Sequence, residues 1–285
     1  MSDHRLTTLF EGGHFFEGPR WHEGRWWVSD FYSGLVRAIT PEGDVEEVLH
    51  LDTQPSGLGW LPDGSLLVVS MVDRTLRRRE ADGTLSVHAD LSAHAGGHLN
   101  DMVVDDLGRA WVGNFGFDLM AEGEFATATL VRVDPDSTVT PVASELMFPN
   151  GSVITPDGTT LVVGETYGTR YTAFTVDDDG SLSDRRIWAQ LDGIAPDGCA
   201  LDAEGRIWAA DAVGNRCVRV AEGGEVLDEV AAPDGLGVYA CMLGGDAGTT
   251  LLMCAAPDYF EHNRRAATEA VLVTTTVDVP HAGRP

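Results

Sequence analysis

The sequence predicts an all-β chain folded as a six-bladed β-propeller whose N-terminal strand completes the last blade. Three observations predict it. A turn closed by glycine and followed by a β-rich run recurs six times. The copies are spaced like propeller blades, and the last unit is short of one strand while the N-terminus has one to spare.

The copies run in order along the chain. Gly24 precedes Arg25-Trp26-Trp27-Val28-Ser29-Asp30, and Gly64 precedes Leu66-Leu67-Val68-Val69-Ser70. Gly108 precedes Ala110-Trp111-Val112-Gly113-Asn114, and Gly158 precedes Leu161-Val162-Val163-Gly164-Glu165. Gly205 leads Ile207-Trp208-Ala209-Ala210-Asp211, and a weaker sixth copy has Gly248 before Leu251-Leu252-Met253-Cys254. Glycine supplies the positive φ that such hairpins require. Neighbouring turn glycines are separated by 40, 44, 50, 47 and 43 residues, enough for a sheet of several short strands in each unit.

Third and fourth strands follow each hairpin, at 35–40 and 45–49 in the first unit, 75–79 and 85–89 in the second, and 217–220 and 225–230 in the fifth. The sixth unit offers a third strand at 270–279 and then ends, so the segment 6–10 is expected to pair with it and close the ring. Segment 115–128 reads as a loop over one face and segment 258–269 as a short helix. No linker or low-complexity tract divides the chain, which predicts one domain over 1–285.

Composition narrows the function. A formal net charge of −26 argues against nucleic-acid and anionic-membrane partners, which need a basic face. Every basic residue is arginine, so Schiff-base and lysine-base chemistry are excluded. Cys199, Cys217, Cys241 and Cys254 have no metal-ligand spacing and read as buried thiols of a reducing compartment. Residues 1–10 lack an apolar core of signal-peptide length, and no apolar run is long enough to span a membrane; a cytoplasmic location is expected.

The innermost strands of a propeller line its axis, so the residue opening each one faces the central channel. Eight residues before the turn glycines stand Ser56, Asn100, Asn150, Asp197 and Ala240; the first blade gives Phe16, with Glu17 one place on. A one-residue difference in strand length would bring Glu17 into line. Glu17, Asn100, Asn150 and Asp197 then form an all-oxygen set suited to one hard divalent cation. Calcium is the first expectation, with Mg2+, Mn2+ or Zn2+ as alternatives. Taken singly, Pro149-Asn150-Gly151 and Pro196-Asp197-Gly198 are equally good turn signals; it is the coincidence of four registers that favours the cation.

His98 and Asp101 flank Asn100 and are candidate substrate contacts. Trp27, Trp111 and Trp208, each three residues after a turn glycine, read as core between blades. Ser29, Ser70 and Ser152 lack the context of a nucleophile elbow.

Four ordered motifs carry a resemblance: Phe16-Glu17-Gly18-Pro19-Arg20-Trp21, His98-Leu99-Asn100-Asp101-Met102-Val103-Val104-Asp105, Phe148-Pro149-Asn150-Gly151 and Ile194-Ala195-Pro196-Asp197-Gly198. Together they resemble the SMP-30/gluconolactonase/luciferin-regenerating-enzyme family over nearly the whole chain. The resemblance implies one divalent metal on Glu17, Asn150 and Asp197, Asn100 helping to hold metal or substrate, and Asp197 as general base. Animal gluconolactonases have a substrate-contacting arginine where this chain has His98, and Asp118 falls near the family's substrate-contacting glutamate. With Phe115 and Phe117 in the adjoining loop, the pocket is expected to suit a lactone less polar than an aldonolactone.

The leading expectation is therefore a metal-dependent hydrolase that opens a lactone with water activated by the metal and Asp197. His98 or Asp101 would position the ring oxygen or protonate it. The partner is then a small-molecule substrate. Two other readings are an organophosphate or fluorophosphate hydrolase at the same site, and a non-catalytic propeller that binds a protein through its outer surface around a structural metal.

Overall fold

The computed structural model describes residues 4–283; Met1–Asp3 and Arg284–Pro285, the extremities of the 1–285 span, lie outside the described residues. Six four-stranded sheets follow one another along the chain, five of them built from consecutive antiparallel strands. In the sixth, Thr7–Gly13 pairs antiparallel with Ala270–Thr276, which continues through Thr250–Ala256 to Gly237–Gly244. Each innermost strand packs against its neighbours, and the first, Phe16–His22, also packs against the last, Gly237–Gly244. The ring is a six-bladed β-propeller closed by its N-terminal strand.

The sequence-based strands need small adjustment at that closure. The closing strand lies slightly later than 6–10, and its partner stops at Thr276, because the Val277 amide turns back to donate to the Thr249 carbonyl. The helix in segment 258–269 is one turn, Glu261–Arg264. The segment after Asn114 is irregular until the strand Ala128–Val133, as expected of a loop.

Local turn chemistry explains the displaced register of Glu17. In the first blade His22 pairs directly with Arg25, so the hairpin turns on two residues, Glu23 and Gly24, both in the left-handed region at φ 49° and 74°. That is the turn whose twist matches the flanking strands. The second blade needs a longer turn, closed by the Leu61 amide donating to the Ser65 carbonyl. The first innermost strand is one residue longer and its turn shorter, which leaves Glu17 seven residues before its glycine instead of eight.

Trp27, Trp111 and Trp208 are all buried and sit in three different apolar clusters between blades. The four cysteines are buried and free. Among the described residues no helix is long and apolar enough to cross a membrane.

A second repeating device pins the ring. The second strands of four blades end on Asp30, Asn114, Glu165 and Asp211, all fully buried. Asp30 accepts from the backbone amides of His14 and Phe15, Glu165 from that of Met147, and Asp211 from that of Ala195. These amides lie two or three residues before Glu17, Asn150 and Asp197. The same carboxylates are paired from the third strand by Arg37, Arg170 and Arg216, at 2.6, 2.8 and 3.2 Å. Each thereby holds in place the chain entering an innermost strand.

Candidate active site

The open end of the channel is a cavity of about 460 Å³, and Glu17, Asn100, Asn150 and Asp197 all line it. Each is the second residue of its innermost strand: Phe16–His22, Leu99–Val104, Pro149–Ile154 and Pro196–Leu201. The Pro-Asn-Gly and Pro-Asp-Gly tripeptides are thus strand openings and not turns. The register of all four strands shifts at this point, between Glu17 and Arg20, Leu99 and Met102, Pro149 and Ser152, and Pro196 and Cys199. Bulges of this kind re-aim side chains and are common beside functional sites.

Glycine after the site residue lets neighbouring strands converge. A Cβ on Gly151 would meet the Asp197 carbonyl oxygen at 2.5 Å, and one on Gly198 would meet the Ala240 Cβ at 2.5 Å. The first and second of these contacts draw the fourth, fifth and sixth blades together at the axis. In the third blade the corresponding residue is Asp101, with a different role.

Asp101 is buried and does not line the cavity. Its Oδ1 accepts from Arg20 Nη2 at 2.7 Å and from the Met102 amide at 2.8 Å. Arg20 also donates to the carbonyls of Pro19 and Met102. The pair belongs to the axis beneath the cavity: Arg20 lines two further small cavities, shared with residues such as Ser152 and Leu58, that have no wall in common with the upper one.

Burial raises the Glu17 carboxyl well above its ordinary range, the Asp197 and Asp101 charges add to this, and the Gly18 amide, donating at 3.0 Å, opposes it. Asp197 is pushed up to about 8, mainly by burial and further by Asp101, against hydrogen bonds from the Asn150 side chain and the Gly198 amide. With all three carboxylates ionised, Arg20 offsets one charge, and two negative charges remain at the head of the channel. A dication would balance them.

The amide of Asn150 has a fixed orientation. Thr166 has one hydroxyl proton and gives it to the Pro196 carbonyl, 2.7 Å away. What faces Thr166 Oγ1 from Asn150 must therefore be a donor, Nδ2, at 3.2 Å. Oδ1 is left available to accept or to ligate. Asn100 likewise turns its Nδ2 toward the Pro149 carbonyl, at 3.5 Å. Among the described residues no three His, Cys, Asp or Glu side chains gather as a metal site; the donors here are two carboxylates and two amide oxygens. Such a set fits a hard cation such as calcium.

The remaining candidates lie off the floor. His98 packs against the Phe115 ring, with centroids 5.8 Å apart, and Phe115 lines the cavity while His98 does not. Burial lowers the pKa of His98, opposed by the charge of Asp118, and its Nδ1 is buried without a hydrogen-bond partner. Asp118 is exposed and accepts from the Ala121 amide within its own loop. The sequence reading missed Thr166 and Tyr167, which follow directly on the fourth copy of the repeat, and the pinning residues, which end the copies themselves.

Residues 15–257 match the SMP-30/Gluconolactonase/LRE-like region. The chain belongs to this family. Among its members, a pentonolactonase of Haloferax volcanii is 29% identical over 81% of this chain and 82% of its own length. A 6-deoxy-6-sulfogluconolactonase of Pseudomonas putida is 26% identical over 72% of this chain and 70% of its own. The solved structure of a gluconolactonase from Xanthomonas campestris superposes with a TM-score of 0.77 at 25% identity, covering 98% of this chain and 91% of that one. A calcium-binding regucalcin structure from Agrobacterium tumefaciens shares the fold, with a TM-score of 0.82 at 22% identity over 98% of this chain and 95% of that one.

Proposed function

We propose that the chain is a divalent-metal-dependent lactonase working at the floor formed by Glu17, Asn100, Asn150 and Asp197. The observation that carries this reading is the meeting of two buried, charge-excess carboxylates and two amide oxygens at the head of one open cavity. Glu17, Asn150 and Asp197 would hold the cation, with Asn100 beside them. A cation bound there supplies Lewis-acid polarisation of the ester carbonyl.

The chain's own groups account for the protons. Asp197 accepts a proton from the attacking water as the new C–O bond forms. The acyl C–O bond of the ring then breaks, and its oxygen must be protonated. His98 and Asp101 do not line the cavity, so Asp197 is the group placed to return that proton. Asn100 presents an amide to the substrate, while Asp101, paired with Arg20, sets the charge beneath the site. His98 and Asp118 act from the surrounding loop, His98 by backing the Phe115 wall.

The test is removal of the metal. Protein stripped with chelator should hydrolyse no lactone and should recover with added calcium, measured by acid release in a weakly buffered indicator assay. Undiminished turnover after complete stripping would sink the metal-dependent reading.

A further inference from the structure

We infer that this cavity selects neutral lactones carrying an apolar alkyl or aryl substituent over polyhydroxylated or anionic ones, an inference that rests on the lactonase reading above. Above the four oxygen donors the walls are hydrocarbon. On one side Phe148 stacks between Phe115 and Tyr167, with centroids 4.6 and 5.0 Å away. On the other, Phe15 packs on Tyr239 at 4.9 Å and on Phe31 at 5.4 Å. The same character continues out to the mouth, where Tyr167, Val213 and Tyr259 line the cavity while 43%, 69% and 41% exposed. Exposed apolar surface concentrated at an opening marks a place where apolar matter binds.

Two of the hydroxyls in the cavity wall are already committed. The Thr166 hydroxyl is used between Asn150 and Pro196, and the Tyr32 hydroxyl donates to the Tyr259 carbonyl at 2.7 Å. A polyol entering here would exchange its hydrogen bonds to water for those of Thr169 and of the Tyr167, Tyr239 and Tyr259 hydroxyls, against walls that are otherwise hydrocarbon. None of the described residues lining the cavity is basic. The nearest guanidinium beneath the floor, that of Arg20, is engaged by Asp101 and two carbonyls. With the cation engaged on the ester carbonyl, a sulfonate, phosphate or carboxylate elsewhere on the substrate would find no basic side chain in the lining.

Kinetics on calcium-loaded protein tests this with δ-lactones of increasing alkyl length, an aryl lactone and glucono-δ-lactone. The expected result is a kcat/KM that rises about threefold per side-chain methylene, with glucono-δ-lactone at least about 100-fold below the longest alkyl member. Equal rates across the series, or preference for the sugar lactone, would overturn the inference while leaving the lactonase reading intact. If no lactone is turned over, that reading fails, and calorimetry decides the inference separately: an alkyl-substituted δ-lactam should bind at least about tenfold more tightly than gluconolactam. No binding by either, or the reverse order, overturns it. Tyr167→Ser and Val213→Ser, at the mouth, should each flatten the dependence on alkyl length; an unchanged slope in both would overturn the assignment of this wall.

Discussion

The Thr166 hydroxyl accepts from Asn150 Nδ2 at 3.2 Å while donating to the Pro196 carbonyl at 2.7 Å, and so ties the strand of one proposed ligand to that of the next, Asp197. Its effect on the cation is indirect, through the direction in which Asn150 Oδ1 points. Thr166→Val keeps the shape and removes the hydrogen bond. Calcium affinity measured by calorimetry should fall about 10-fold or more, and Thr166→Ser should restore it. Wild-type affinity in Thr166→Val would show that Asn150 is oriented by something else.

Asp197→Asn tests the base. It keeps an oxygen donor at the floor but cannot take a proton from water. Turnover should drop by about 10²–10⁴-fold, while calcium still raises the melting temperature. A variant that retains a tenth of wild-type kcat would move the proton acceptor to another residue.

Stability of the cation-free protein should depend on pH in an unusual direction. Burial pushes Asp197 up to about 8 and raises Glu17 too, whereas the unfolded chain releases these protons near 4. Between those values the folded state binds more protons than the unfolded one, so the free energy of unfolding falls as pH rises. In excess chelator the melting temperature should therefore decline from pH 5 to pH 8, and Asp197→Asn should remove part of the slope. Identical slopes for the two proteins would mean that this carboxylate does not titrate in a buried floor.

The pinning carboxylates should matter to the fold more than to chemistry. Asp30 is fully buried and faces Arg37 Nη1 at 2.6 Å. Asp30→Ala leaves that guanidinium and the amides of His14 and Phe15 without their acceptor, a loss of about 3–5 kcal/mol. Urea titration should show a clearly lowered midpoint; a midpoint within error of wild type would make the pin ornamental.

Much of this architecture was legible because symmetry turns local signals into global ones. Six turn glycines sufficed for the blades, and counting back from them found Asn100, Asn150 and Asp197. Glu17 came out one place off, since the first hairpin has a two-residue turn and a longer strand, and the two differences do not cancel. Asp101 could not be placed from sequence: it stands next to Asn100, but the bulge that aims Asn100 into the cavity leaves Asp101 on Arg20, a partner 81 residues away. His98 was singled out for the same adjacency and lies on the far side of the Phe115 ring. Asp30, Glu165 and Asp211 were visible as the polar ends of their repeats, yet their purpose depends on amides contributed by the preceding loop. The hydrocarbon walls were only hinted at by Phe115 and Phe117, because they are assembled from loops of several blades.

The pairing of Thr7 with Thr274 has a consequence for how the molecule is made. A ribosome releases the first of these residues long before the second, so the opening strand stays without this partner until the strand Ala270–Thr276 has been made. Glu17 and Asp197 belong to a ring that only the final strand can lock. Assembly of that floor, on this geometry, waits for the strand Ala270–Thr276 and does not proceed blade by blade.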